Sequence, residues 1–293
     1  MKRKQIRGLA CLLALVMLLG GCTLPPVTGE ETTAQNGPQA TVAPHLSVNH
    51  HQEAVYEYKT DVNEAVLCTG LLREYLLLAN KTVPVGQDYV PDNLVVLKDA
   101  LLTEWHRGDG VQLNSRAAAA LYEMMEEMRA DGVDDVLVTS AYRSFGYQKN
   151  LYQTYLSKEQ STISSDAYRV LGAEYINANY LGQGLTGLSR ADAERVVLSY
   201  SAYPGTSEHQ TGLCVDFITS TMGGSLTAEF EATAAYAWLS ANAYRFGFIL
   251  RYSKEKEAIT GYTYEPWHYR FVGREAATDM HFGELTLEEY LGV

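Results

Sequence analysis

The sequence predicts one α+β domain, a small and mostly antiparallel sheet flanked by helices. Three observations carry that reading. Short β-rich runs are mixed with helical stretches in no regular order, no strand–helix–strand unit repeats, and no glycine-rich phosphate loop opens a helix. The composition fits an ordinary globular chain: 293 residues, 46% hydrophobic and 20% charged, enough for one substantial core. Collagen-like, coiled-coil and wholly disordered classes are therefore excluded. The 23 Lys and Arg against 35 Asp and Glu give a net charge of −12, which argues against a nucleic-acid partner, whose phosphates call for a basic face.

In chain order, residues 1–21 read as an export signal. Lys2, Arg3, Lys4 and Arg7 form a basic start without an acid, and Leu9–Leu19 is an apolar run too short for a good membrane span. The run ends in Leu19-Gly20-Gly21-Cys22, which resembles the lipobox of bacterial lipoproteins. That resemblance implies cleavage before Cys22 and a lipid on its sulfur, hence an extracytoplasmic protein anchored to the membrane. Loss of the four cations would take the net charge from −12 to −16. Residues 22–55 read as a flexible tether, with Pro25, Pro26, Pro38 and Pro44 and no hydrophobic period. Its His45, His50 and His51 read as solvated side chains rather than a metal tract.

Residues 56–293 read as the folded domain. Asn114 or Ser115 caps a helix through Ala117–Arg129 that ends near Gly132. The β-rich run Val136–Ser140 follows, then a helix over Gly146–Lys158. Residues 160–188 read as a surface insertion with some helix, and Ser189-Arg190-Ala191-Asp192 opens a helix to Tyr200. Leu213–Ile218 is the next strand, Ala228–Tyr244 a long helix, and Phe248–Tyr252 and Tyr264–Val272 two more strands. Short helices near Glu275 and Leu287 close the chain, and Trp105 and Trp238 read as core.

Three short segments carry chemistry. In Ser207-Glu208-His209-Gln210-Thr211-Gly212-Leu213-Cys214-Val215-Asp216, a glycine turn links His209 to a strand bearing Asp216, so an imidazole and a carboxylate can converge on one Zn²⁺. In Glu265-Pro266-Trp267-His268-Tyr269-Arg270, His268 can supply a third ligand, and Glu265, extended before a proline, can reach the same space. Three protein ligands leave a position for water, as a catalytic zinc requires. In Ser140-Ala141-Tyr142-Arg143-Ser144, followed by Gln148, an arginine at a strand–helix junction is placed to grip a carboxylate.

Together these segments resemble the VanY-like zinc D-alanyl-D-alanine carboxypeptidases, peptidoglycan peptidases of the M15 class. Milder matches are Leu78-Ala79-Asn80-Lys81, Tyr89-Val90-Pro91 and Tyr244-Arg245-Phe246-Gly247-Phe248, and the resemblance spans roughly Leu76 to Leu291. It implies that His209, Asp216 and His268 bind zinc on the sheet and that Glu265 is the general acid/base. Arg143 is implied to touch substrate or the developing oxyanion, with Gln148 and Ser207 as further substrate contacts. The expected activity is removal of the C-terminal D-alanine from peptidoglycan stem peptides by a monomer. An L,D-carboxypeptidase acting on tetrapeptide stems and a non-catalytic wall-binding lipoprotein are the alternatives, and Glu265 speaks against the second.

One position departs from the family pattern. Cys214 stands where a small residue such as alanine is usual, and strand alternation puts it on the face of Asp216. It reads as a small buried apolar side chain, with a disulfide to Cys68 as a second option and a sulfur ligand as the least expected. His106 and His281 match no motif and read as surface or structural residues.

Overall fold

The computed structural model describes residues 56–97, 110–223 and 225–293. The signal, Cys22, the tether up to residue 55, Trp105 and His106 lie outside them. The described chain is the predicted α+β domain. Its elements are α1 (Glu64–Leu67), β1 (Leu94–Val96), β2 (Gln112–Asn114), α2 (Ser115–Ala130), β3 (Leu137–Ser140), α3 (Phe145–Ser161), α4 (Ser165–Leu171), α5 (Ala173–Asn179), α6 (Arg190–Tyr200), β4 (Cys214–Ile218), α7 (Ala234–Asn242), β5 (Phe248–Leu250), α8 (Glu257–Thr260), β6 (His268–Phe271), α9 (Arg274–Gly283) and α10 (Leu287–Leu291).

The main sheet has the order β3-β4-β6-β5, and every pair is antiparallel. Alternation splits its residues between two faces. Val215, Phe217, Tyr269, Phe271 and Phe248 point into the main core with Leu121, Met124 and Met128 of α2 and Trp238 of α7. Asp216, His268 and Arg270 point to the other face. The register places Ser140 opposite Asp216 and Asp216 opposite His268, so one row across three strands carries the chemistry.

Local sequence explains most boundaries. The Asn114 side chain accepts from the backbone N–H of Arg116 and Ala117 and starts α2. Ser144 caps α3 and Ser189 caps α6 in the same way. Residues 160–188 are more than a surface insertion: Ala167, Ile176 and Tyr180 join Tyr152, Leu156, Val196 and Val197 in a helical sub-core.

Three expectations change. The long helix over 228–244 is broken into a 3-10 turn (Ala228–Ala232), α7 and a second 3-10 turn (Ala243–Phe246), because Thr233 is extended and caps α7 by accepting from Tyr236 N. The strand expected over 264–272 begins only at His268, because Glu265-Pro266-Trp267-His268 is a β-turn in which His268 N donates to Glu265 O, 3.1 Å. The pair β1–β2 was not expected. Cys68 and Cys214 are both free, one exposed and one buried, so the disulfide option falls.

Candidate active site

His209 sits in a 3-10 turn (Glu208–Thr211) that ends at Gly212, φ +67°, and leads directly into β4. A side chain at Gly212 would press on Leu94 Cδ2 at 2.7 Å, so glycine is needed there for conformation and for space. The turn folds His209 back over the strand that carries Asp216, and β6 brings His268 beside it. The two imidazoles lie edge to face, 4.9 Å between centroids.

Hydrogen bonds fix which nitrogen each ring offers. His209 Nδ1 donates to the carbonyl of Ala141, 2.6 Å, which leaves Nε2 facing Asp216 Oδ2 at 3.3 Å. His268 Nε2 donates to Glu208 Oε2, 2.9 Å, which leaves Nδ1 facing Asp216 Oδ1 at 3.1 Å. A carbonyl and a carboxylate holding the far edges of two imidazoles is the usual outer support of metal-binding histidines. Asp216 Oδ1 is buried and has no hydrogen-bond partner. The separations, 3.3 Å from His209 Nε2 to Oδ2 and 3.1 Å from His268 Nδ1 to Oδ1, set both imidazoles against one carboxylate. Two imidazole nitrogens converging on a buried carboxylate form a donor set that fits a zinc ion.

The charges agree. Burial alone would raise the Asp216 carboxyl, but His209, with His268 and Arg143 beside it, holds it well below the usual carboxylate range. Burial and Arg143 would lower His209, yet Asp216 and Cys214 carry it up to about 9. The pocket thus favours a cation, and protons occupy the rings when nothing else does. Glu265 behaves oppositely. Burial, with Asp216 adding to it against the pull of His268, His209 and Arg143, pushes its carboxyl up to about 7. Its Oε2 lies 3.7 Å from His268 Nδ1, and its side chain is 12% exposed.

Arg143 donates through Nη2 to Asp216 Oδ2, 2.7 Å, and through Nε to Ser140 Oγ, 3.0 Å. Gln148 Nε2 donates to Ala202 O, 2.8 Å, and to Ser201 Oγ, 3.3 Å, while its Oε1 is buried without a partner. Arg143, Gln148, Ser207, His209, Asp216, Glu265 and His268 all line one cavity of about 680 Å³, so the structure brings every predicted site residue within the described chain together. Trp267, read beside these motifs, lines it too. His281 lies apart, exposed and stacked on Tyr244 at 4.0 Å.

Sequence reasoning missed the support beneath the site. Glu208 Oε1 accepts from Arg251 Nε, 2.8 Å, and Arg270 Nη1, 2.7 Å, and Arg251 also donates twice to Glu288 of α10, 2.9 and 2.6 Å. Arg270 Nη2 donates to the carbonyls of Tyr75 and Leu77. Two buried acids and two buried arginines thus form a neutral cluster under His268. Burial would raise Glu208, but Arg251, Arg270 and His268 hold it well below the usual range, so it stays an acceptor. The available signal was Arg270, a charge on a strand that could be buried only with a partner.

Known proteins place this geometry. The family model described as VanY, D-alanyl-D-alanine carboxypeptidase, matches residues 110–274. The chain is 31% identical over 279 residues to the D-alanyl-D-alanine carboxypeptidase of Enterococcus faecalis, covering 94% of this chain and 82% of that one. It is 34% identical over 215 residues to YodJ of Bacillus subtilis, 73% of this chain and 66% of that relative's length. Among solved structures, the LdcB LD-carboxypeptidase superposes with a TM-score of 0.58 at 33% identity, covering 75% of this chain and 86% of that one. A variant of the vancomycin resistance D,D-pentapeptidase VanY in complex with Zn(II) gives 0.54 at 32% identity, covering 74% and 99%. The match runs through the strands and turns that carry the histidine–aspartate pocket and Glu265, and on it the chain belongs to the VanY family of D-alanyl-D-alanine carboxypeptidases.

Proposed function

We propose that the protein is a zinc carboxypeptidase that releases the C-terminal D-alanine from peptidoglycan stem peptides, with His209, Asp216 and His268 as its metal ligands. The observation that carries this reading is Glu265, a carboxyl held near neutrality beside the cation pocket and lining the cavity. A pure binding module gains nothing from such a group. Zinc held there supplies a water acidified to a pKa of about 7 and polarises the scissile carbonyl.

The chain's own groups do the rest. Glu265 takes the proton of the attacking water and delivers it to the leaving amine. Burial raises this carboxyl above the ordinary range, which suits it to hold and release a proton. Arg143 orients Asp216 and offers positive charge to the substrate carboxylate or the oxyanion. Gln148, its amide nitrogen committed to Ser201 and Ala202, keeps Oε1 to accept a substrate N–H. Ser207 adds a hydroxyl to the same wall. The proposed working unit is a monomer.

Incubation of the zinc-loaded protein with pentapeptide and tetrapeptide stems tests the reading. Release of D-alanine from pentapeptide is expected. Release from tetrapeptide alone would instead establish the L,D activity, the second reading that the likeness to the LdcB LD-carboxypeptidase favours. No release from either stem overturns both. The proposal also puts the enzyme outside the cytoplasmic membrane on a lipid borne by Cys22, supported by the basic, apolar and Leu-Gly-Gly-Cys sequence of residues 1–22. Cys22→Ser is expected to move the protein from the membrane fraction to the soluble one, and an unchanged distribution would refute the anchor.

A further inference from the structure

Cys214 is fully buried, yet it belongs to none of the apolar clusters of the described domain. Its chain neighbours, Leu213 just before β4 and Val215 on it, both lie in the main core. Cys214 points the other way, onto the face of Asp216. There Sγ and one ring nitrogen each of His209 and His268 lie within 4.8 Å of one another. The unpartnered Asp216 Oδ1 is buried on the same face. The Cys214 thiol is set among metal-binding nitrogens.

We propose that Cys214 Sγ is a fourth protein donor to the metal, reaching it from the buried side of the site opposite the substrate cavity. The inference rests on the metal reading above and extends it. Cys214 does not line the cavity, whereas His209, Asp216 and His268 do. A sulfur donor from below therefore leaves the open position on the cavity side for water and substrate. On metal uptake the thiol loses its proton to solvent and its sulfur lone pair forms the metal bond, so no oxidant or reductant is needed. A thiolate beside two imidazoles and a carboxylate biases the site toward thiophilic ions, Cd²⁺ and Co²⁺ among them, relative to a site with nitrogen and oxygen donors alone.

The test loads the purified protein with Co²⁺ and, separately, with Zn²⁺. The cobalt form is expected to show a sulfur-to-cobalt charge-transfer band in the near ultraviolet that Cys214→Ala abolishes. X-ray absorption of the zinc form is expected to show a sulfur scatterer at about 2.3 Å. In Cys214→Ala the affinity for Cd²⁺ should fall at least tenfold more than the affinity for Zn²⁺. Cobalt bound without that band, or a zinc spectrum without sulfur, overturns the proposal and leaves the metal reading intact. Failure to bind either metal overturns both. The X-ray absorption arm needs only the unaltered protein and decides the question even if the variant does not fold.

Discussion

Glu208 is the residue through which the buried charge cluster touches the chemistry, and replacing it separates two effects. Glu208→Ala removes the carboxylate that faces Arg251, Arg270 and His268 at 2.8, 2.7 and 2.9 Å. Arg251 keeps Glu288, but Arg270 is left with carbonyls alone. Breaking a buried pair from one side costs about 3–5 kcal/mol, a large share of the roughly 5–15 kcal/mol that holds a domain together. Glu208→Gln keeps the volume and is the more informative change. If its carbonyl faces the two arginines, its amide nitrogen faces His268 Nε2, and two donors meet. The ring can relieve this only by moving its proton to Nδ1, the atom offered to zinc. Loss of such an outer partner costs metal sites about 10- to 100-fold in affinity. The assay is zinc competition against a chromophoric chelator, with thermal melts of the apo and loaded forms. Zinc affinity within twofold of the parent in a folded Glu208→Gln protein would refute the tautomer argument.

Glu265→Ala should lower turnover of the pentapeptide by about 10²- to 10⁴-fold, the usual worth of a general acid/base, while zinc content stays unchanged. Equal loss of zinc would instead mark Glu265 as a ligand. Asp192 ties the 160–188 segment to α6 by accepting from Tyr175 and Tyr180, and it also accepts from Arg195 within α6. Burial would raise its pKa, but hydrogen bonds from Tyr180, Tyr175 and Arg195 hold it below 3.8. A depressed carboxyl stabilises above its unfolded value and loses that contribution as pH falls through its folded one. Asp192→Asn should therefore cost about 1.5–3 kcal/mol at pH 7 and narrow the gap to the parent below about pH 4, read from melts at both pH values. A gap that widens in acid would contradict the assignment. Gly273 has φ +84° and ψ +151°, and a side chain there would collide with Thr69 Oγ1. Gly273→Ala should cost about 1–3 kcal/mol in urea unfolding, whereas Gly132→Ala, with the same φ and open space, should cost no more than the φ strain.

Much of the site was legible because its ligands come in short local pairs. His209 and Asp216 are seven residues apart across one glycine turn, and Glu265 and His268 share one β-turn, so spacing alone brings each pair together. That the two pairs meet depends on β4 and β6 being neighbours, a pairing no local pattern encodes. The resemblance carried that step. The broken helix over 228–246 was missed because its apolar residues continue through Thr233, and only the cap hydrogen bond shows the break. The strands β1 and β2 are three residues each, too short for alternation to register. Glu208, Arg251, Arg270 and Glu288 were invisible as a set because only Arg270 hints at burial and nothing local names its partners.

The tie between Arg251 and Glu288 has a consequence for the order in which the molecule becomes able to act. The support of His268 runs through Glu208 and Arg251 to Glu288 on α10, which lies 80 residues beyond Glu208 in the chain. Until that segment has been made and docked, Arg251 sits beside Glu208 half-neutralised, and the tautomer of His268 is not secured. Bond-breaking competence thus requires α10 in place and does not come with the strands that carry the ligands alone. A chain halted before Leu287 would own all the named ligands and still hold zinc poorly, a built-in delay for an enzyme whose work is cutting.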